Sequence, residues 1–154
     1  MIGTDADLPE NFDQLTTPGI RPGDVYVATS PLHGRGVFAA RSFTPGSIIE
    51  ICPILVLPAP QRAALDTTLL HDRYYEWNDA AGLALGFGCL YNHSYDPNAH
   101  YRQHIERDLV VVKALKAIAK DEEITINYNG DPADQTPVWH DTAAAPGRDA
   151  PDDD

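Results

Sequence analysis

Cysteine is nearly absent from this chain, lysine is scarce, and no apolar run approaches membrane-spanning length. The two cysteines, Cys52 and Cys89, lie far apart, each in apolar company. With no CxxC and no cluster, the pattern predicts buried thiols in a reducing compartment and argues against a disulfide scaffold or structural zinc. No metal site is expected. The chain starts without a basic, apolar leader, so neither secretion nor membrane anchoring is predicted, and the reading is cytoplasmic.

Basic residues are also few. Lys and Arg number 11 against 23 Asp and Glu, a formal net charge of −12. Residues 1–20 carry −4 of this, residues 129–154 carry −6, and the stretch between them only −2. Both ends are rich in Pro, Ala and Thr and poor in large apolar residues, so they bury too little surface to order themselves. Residues 1–20 and 141–154 are therefore read as disordered acidic tails around one domain at 21–140, large enough to hold a core. A nucleic-acid footprint needs a basic stripe, and none is present.

Between the tails the pattern is one of short strands and tight turns. Asp24-Val25-Tyr26-Val27-Ala28 alternates, and a polar bend leads to Val37-Phe38-Ala39-Ala40. Phe43-Thr44-Pro45-Gly46 reads as a turn, with Pro presetting φ and Gly taking positive φ. Ser47 to Leu57 is apolar and β-branched, hence one or two buried strands, ended by Pro58 and Pro60. Ala59 to Leu70 has helical composition, with Ala63, Ala64, Leu65, Leu69 and Leu70 as its apolar stripe. Residues 99–105 and 109–114 form a hairpin around Arg107-Asp108, and Ile124 to Tyr128 is the last strand. Short strands, one or two helices and no βαβ alternation predict a β-rich α+β fold.

Polar groups crowd one bend, Leu90-Tyr91-Asn92-His93-Ser94-Tyr95-Asp96-Pro97-Asn98. Side chains placed there either fix a turn or hold a ligand. Gly34-Arg35-Gly36 is either a glycine bend or a loop whose backbone approaches a ligand; it lacks the dinucleotide and P-loop fingerprints. Tyr128 is either a strand-end aromatic or part of a site. Arg73-Tyr74-Tyr75-Glu76-Trp77 is either packing or an aromatic-lined slot. His100 and His104 have no third partner for a metal.

The order of these motifs adds a further reading. His33-Gly34-Arg35-Gly36-Val37-Phe38-Ala39, then Tyr91-Asn92-His93-Ser94 with Pro97-Asn98, then Glu122-Glu123-Ile124-Thr125-Ile126-Asn127-Tyr128 closely resembles the SET-domain family of protein lysine methyltransferases. The resemblance covers residues 24–130. Phe43 to Gly46 and Ala84 to Gly88 look like the family's compact viral and bacterial members, which lack pre- and post-SET zinc modules. It implies a β-clip of small sheets with a C-terminal pseudoknot. It also implies S-adenosylmethionine as the cofactor and a lysine of a protein substrate, a histone or other basic protein, as methyl acceptor.

By the same resemblance, the backbone of Gly34, Arg35 and Gly36 would hold the methionine end of the cofactor. Asn92 and His93 would bind its amino and adenine parts, and Tyr128 would line the channel at the transferring methyl. Tyr101 aligns with a pocket tyrosine that limits methylation in some members. Phe87, Tyr74, Tyr75 and Ile126 are expected along the substrate channel, with Trp139 as its lid. The chain departs from the family pattern where Tyr95 replaces a common Cys, Ile126 a frequent Tyr and Asp121 a turn Gly. The rival reading is a non-catalytic SET-like module that binds a peptide in the same groove. A homodimer is compatible with either.

Overall fold

The computed structural model describes residues 23–139 together with residues 2–4, 6 and 8. The rest of the two acidic end segments lies outside the described residues. In chain order the elements are β1 Val25–Thr29, β2 Arg35–Ala39, β3 Ile48–Leu57, α1 Ala59–Leu65, β4 Tyr75–Trp77, β5 Ala80–Ala84, β6 Asn92–His93, β7 Ala99–His104, β8 Leu109–Ala114 and β9 Glu123–Ile126. They build a four-stranded sheet, β1-β2-β9-β6, and a five-stranded sheet, β4-β5-β3-β8-β7. The β-rich class expected from the alternating patterns is the class observed. Among the described residues no helix is long and apolar enough to cross a membrane.

The apolar run of β3 is buried because it is central. It pairs antiparallel with β5 on one side and β8 on the other. Its Ile49 and Cys52, with Val110 and Val112 of β8, Val37 of β2, Ile124 of β9 and Tyr91, are each at most 2% exposed. Both cysteines are free thiols. The turns after β2 and β8 are tied together where Phe43 bridges Ile118. Asp121 takes a φ of 66° where a glycine would be unstrained, and its carboxylate accepts the Tyr26 hydroxyl at 3.0 Å.

The helix is shorter than its composition suggests. α1 stops at Leu65, whereas helical composition runs to Leu70. The Thr67 and Thr68 hydroxyls bond back to the carbonyls of Ala64 and Leu65, and the Leu70 N–H turns to Thr68 Oγ. Such local bonds compete with the helical ladder. Leu69, at 89% exposed, also gains nothing by continuing the stripe.

Two features bring distant segments to one place. The first is β6, which pairs in parallel with β9 through Asn92 to Thr125 and His93 to Ile126. Asn98, one of the polar residues crowded into the bend from Leu90 to Asn98, clamps β9. Its Oδ1 accepts Thr125 N–H at 2.9 Å, and its Nδ2 donates to the Glu123 carbonyl at 2.8 Å. Ser94 keeps the turn role, accepting Asp96 N–H at 3.1 Å. The second feature is the curl of the larger sheet. Its opposite edges β4 and β7 face each other, with Gln103 Nε2 donating to the Glu76 carbonyl at 2.8 Å and the Tyr75 and Tyr101 rings edge to face at 5.0 Å. Ile2 adds a parallel bridge to β7 at Gln103.

Candidate active site

One half of the site is a loop strapped to a carboxylate. Gly34 has φ 47°, a left-handed value that glycine adopts without strain. The loop is folded over Ser30, whose Oγ accepts Leu32 N–H at 2.9 Å and His33 N–H at 3.3 Å. The same hydroxyl reaches both carboxylate oxygens of Glu123, at 2.8 and 2.9 Å. Asn92 Nδ2 completes the strap, reaching the His33 carbonyl at 3.0 Å, the Arg35 carbonyl at 3.3 Å and Glu123 Oε1 at 2.8 Å. Gly36 is required by this packing: a Cβ there would stand 2.2 Å from Glu123 Oε1.

The other half is a cavity of about 680 Å³, lined among others by Tyr75, Tyr101, Ile126, Tyr128 and Trp139. Tyr128 is gripped on several sides. Its hydroxyl donates to the Tyr91 carbonyl at 2.8 Å, and its N–H donates to His93 Nδ1 at 3.1 Å. The His93 ring lies 5.1 Å from its ring, and Trp139 stacks on it at 5.4 Å and 8°. Because His93 Nδ1 accepts, a neutral His93 carries its proton on Nε2. Tyr101 donates its hydroxyl to the Tyr128 carbonyl at 3.3 Å, and Tyr75 donates to Gly88 O at 2.7 Å. β6 joins the halves: side chains of successive strand residues face opposite sides, so Asn92 serves the loop and His93 serves the cavity.

Burial sets the protonation of this lining. It pushes the Tyr128 phenol up to about 12, with Arg73 at the cavity mouth pulling weakly the other way and Asp72 and Glu123 adding to the rise. Burial likewise raises Tyr75, Tyr91 and Tyr101 above the ordinary phenol value. At neutral pH the cavity therefore presents neutral phenols rather than phenolates.

Most residues marked in the sequence converge here. Gly34, Arg35, Gly36 and Asn92 meet in the loop half; Tyr75, Tyr101, Ile126, Tyr128 and Trp139 meet in the cavity, with His93 buttressing Tyr128 from behind. Tyr74 also lines the cavity, but its hydroxyl turns to Asp66, at 2.8 Å, and to Arg62. Phe87 does not join them. It is half-buried against the core and is not among the residues that line the cavity, while its N–H is held by Glu50 at 2.9 Å. Ser30, Glu50, Tyr91 and Glu123 are the residues that sequence reasoning missed. Tyr95 has a use of its own: its hydroxyl accepts Val138 N–H at 2.9 Å and its carbonyl accepts Gln135 Nε2 at 3.0 Å. It thereby pins the segment that carries Trp139.

The family model of the SET domain matches residues 34–129. The chain belongs to the SET-domain family. The matched span of this SET domain starts at the glycine loop and ends one residue past Tyr128. A histone-lysine N-methyltransferase of Schizosaccharomyces pombe, specific for H3 lysine-37, is 32% identical over 97 residues, which is 62% of this chain and 66% of that protein. The SET-domain chain thus spans just under two thirds of that relative's length. The crystal structure of a candidate histone methyltransferase from Plasmodium falciparum is 35% identical with a TM-score of 0.58, covering 70% of this chain and 95% of that chain. A humanized mutant of Chaetomium thermophilum Polycomb Repressive Complex 2, at 17% identity and TM-score 0.57, covers 70% of this chain and 15% of that chain, and shares the fold.

Proposed function

We propose that the protein transfers a methyl group from S-adenosylmethionine to the side-chain amine of a lysine in a protein substrate, a histone or another basic protein. The observation that carries this reading is the two-sided arrangement about β6. A glycine loop with carbonyls and a carboxylate lies on one side, and on the other a cavity whose tyrosines gather about Tyr128, with Asp72, Arg73 and Glu76 also in its lining. The residues fit the donor: the His33 and Arg35 carbonyls and Glu123 are acceptors suited to its ammonium, and Gly36 leaves the backbone open. The donor supplies, when bound, an electrophilic methyl on sulfur, so that the new N–C bond forms as the C–S electron pair returns to sulfur. The names of the S. pombe and P. falciparum relatives support a protein lysine as acceptor.

The chain's own residues then have three tasks. They must admit the lysine, keep it neutral and aim it. A free lysine has a pKa of about 10.4, and burial of its amine among neutral phenols disfavours the charged form. Tyr128 is no base, because its phenol keeps its proton and donates it in a hydrogen bond to the Tyr91 carbonyl. Its oxygen therefore offers only lone pairs to the cavity and accepts an N–H of the amine, which leaves the amine lone pair free to attack. Tyr101 and Ile126 bound the space beside it. The folded unit is proposed to extend over residues 21–140.

Incubation with radiolabelled S-adenosylmethionine and a panel of histones and basic proteins tests the reading, with calorimetry of donor binding alongside. Transfer to lysine is expected. Donor binding without transfer to any partner would favour the non-catalytic module, and neither binding nor transfer would overturn the assignment.

A further inference from the structure

Glu50 brings a carboxylate to the start of β3, where the register with β8 shifts between Ile48 and Glu50. It is partly buried, with both carboxylate oxygens engaged. Its Oε2 accepts the Tyr91 hydroxyl at 2.7 Å and its Oε1 accepts Phe87 N–H at 2.9 Å. Gly86, at φ 74°, lies so close that a Cβ would stand 2.5 Å from Oε1. A partly buried charge persists only where such donors compensate its lost hydration. Tyr91 is 1% exposed and is held at both ends, its phenol by Glu50 and its carbonyl by the Tyr128 hydroxyl.

We propose that Glu50 is a positioning residue for methyl transfer, acting through Tyr91 on the direction of the Tyr128 hydroxyl. The proposal rests on the reading of Tyr128 as the residue beside the transferring methyl. A phenol has one proton. While the Tyr91 carbonyl takes it, the Tyr128 oxygen can only accept from the amine. If Tyr91 shifts, the proton is free to turn to the amine lone pair, the pair that must form the N–C bond. Turnover then falls while binding is kept. Glu50 and Tyr91 form a unit, so losing either partner releases the same constraint.

The test uses the full chain with S-adenosylmethionine and an unmethylated protein acceptor taken from the histone and basic-protein panel, comparing Glu50→Gln, Tyr91→Phe and the double variant. Tyr91→Phe removes only a hydroxyl and keeps the core volume, so it remains informative where Glu50→Gln folds poorly. Expected is a fall in kcat of about tenfold to a hundredfold, the loss typical of a misaligned reacting pair. Both KM values should stay within about threefold, and the double variant should be no worse than the worse single one. A second readout needs no donor: in protein labelled with 13Cζ-tyrosine, the Tyr128 resonance, identified by its loss in Tyr128→Phe, should move in both single variants. Unchanged kcat, or lost stability and donor affinity with an unmoved Tyr128 resonance, overturns the proposal. Failure of the wild-type protein to transfer methyl overturns the reading of the site instead, and the resonance still reports whether Glu50 governs Tyr128.

Discussion

At the scale of single residues, Tyr128 and Gly36 carry the sharpest expectations. Tyr128→Phe removes the oxygen that orients the amine and leaves the stack with Trp139, so kcat should fall by about a hundredfold with donor affinity unchanged by calorimetry. Gly36→Ala acts on the opposite half. Its Cβ must displace a Glu123 carboxylate already tied to Ser30 and Asn92, so donor affinity should drop by about tenfold or more, measured by the same titration. Taken singly both residues were ambiguous, and it was the order of the motifs, through the family resemblance, that marked them. Ser30, Glu50 and Glu123 were not legible. Ser30 meets Glu123 across 93 positions of chain and Glu50 meets Tyr91 across 41, distances at which neither periodicity nor spacing carries a signal. Phe87 was expected in the channel by resemblance alone, whereas its half-buried side chain packs against the core and does not line the cavity.

At the scale of elements, the strand that matters most is the one hardest to read. β3 announced itself through β-branched residues and β7 and β8 through their hairpin, but β6 has two residues and therefore no period. It exists because β9 lies beside it, and Asn98 fastens the two together. Asn98→Ala would leave Thr125 N–H and the Glu123 carbonyl without that partner in buried surroundings. Such orphaned groups cost about 1–3 kcal/mol, so denaturant unfolding should show a loss of this order. The overrun of α1 has a similar lesson. Helical composition at Leu69 and Leu70 does not extend a helix that threonine hydroxyls and solvent exposure have already ended.

At the scale of the molecule, the buried phenols and thiols couple stability to pH. Burial raises Tyr75, Tyr91, Tyr101 and Tyr128, together with Cys52 and Cys89, above their ordinary values. In alkali the unfolded chain loses these protons first and so binds fewer than the folded one, which makes stability fall as pH rises. The contribution is whole below the unfolded thiol value of about 8.5, and is lost as pH rises from there through the folded-state values. Urea midpoints measured from pH 8 to 11 should therefore be flat and then decline. The parallel seating of β6 on β9 has a consequence in time. Asn92 and His93 find their strand partners only when residues 123–126, near the far end of the domain, have entered between β2 and β6. A growing chain on the ribosome holds no fraction of the site until that strand emerges, and a half-unfolded one holds none either. Methyl transfer and the cooperative unfolding transition should vanish together along one denaturant curve, which makes catalysis a gauge of completed folding.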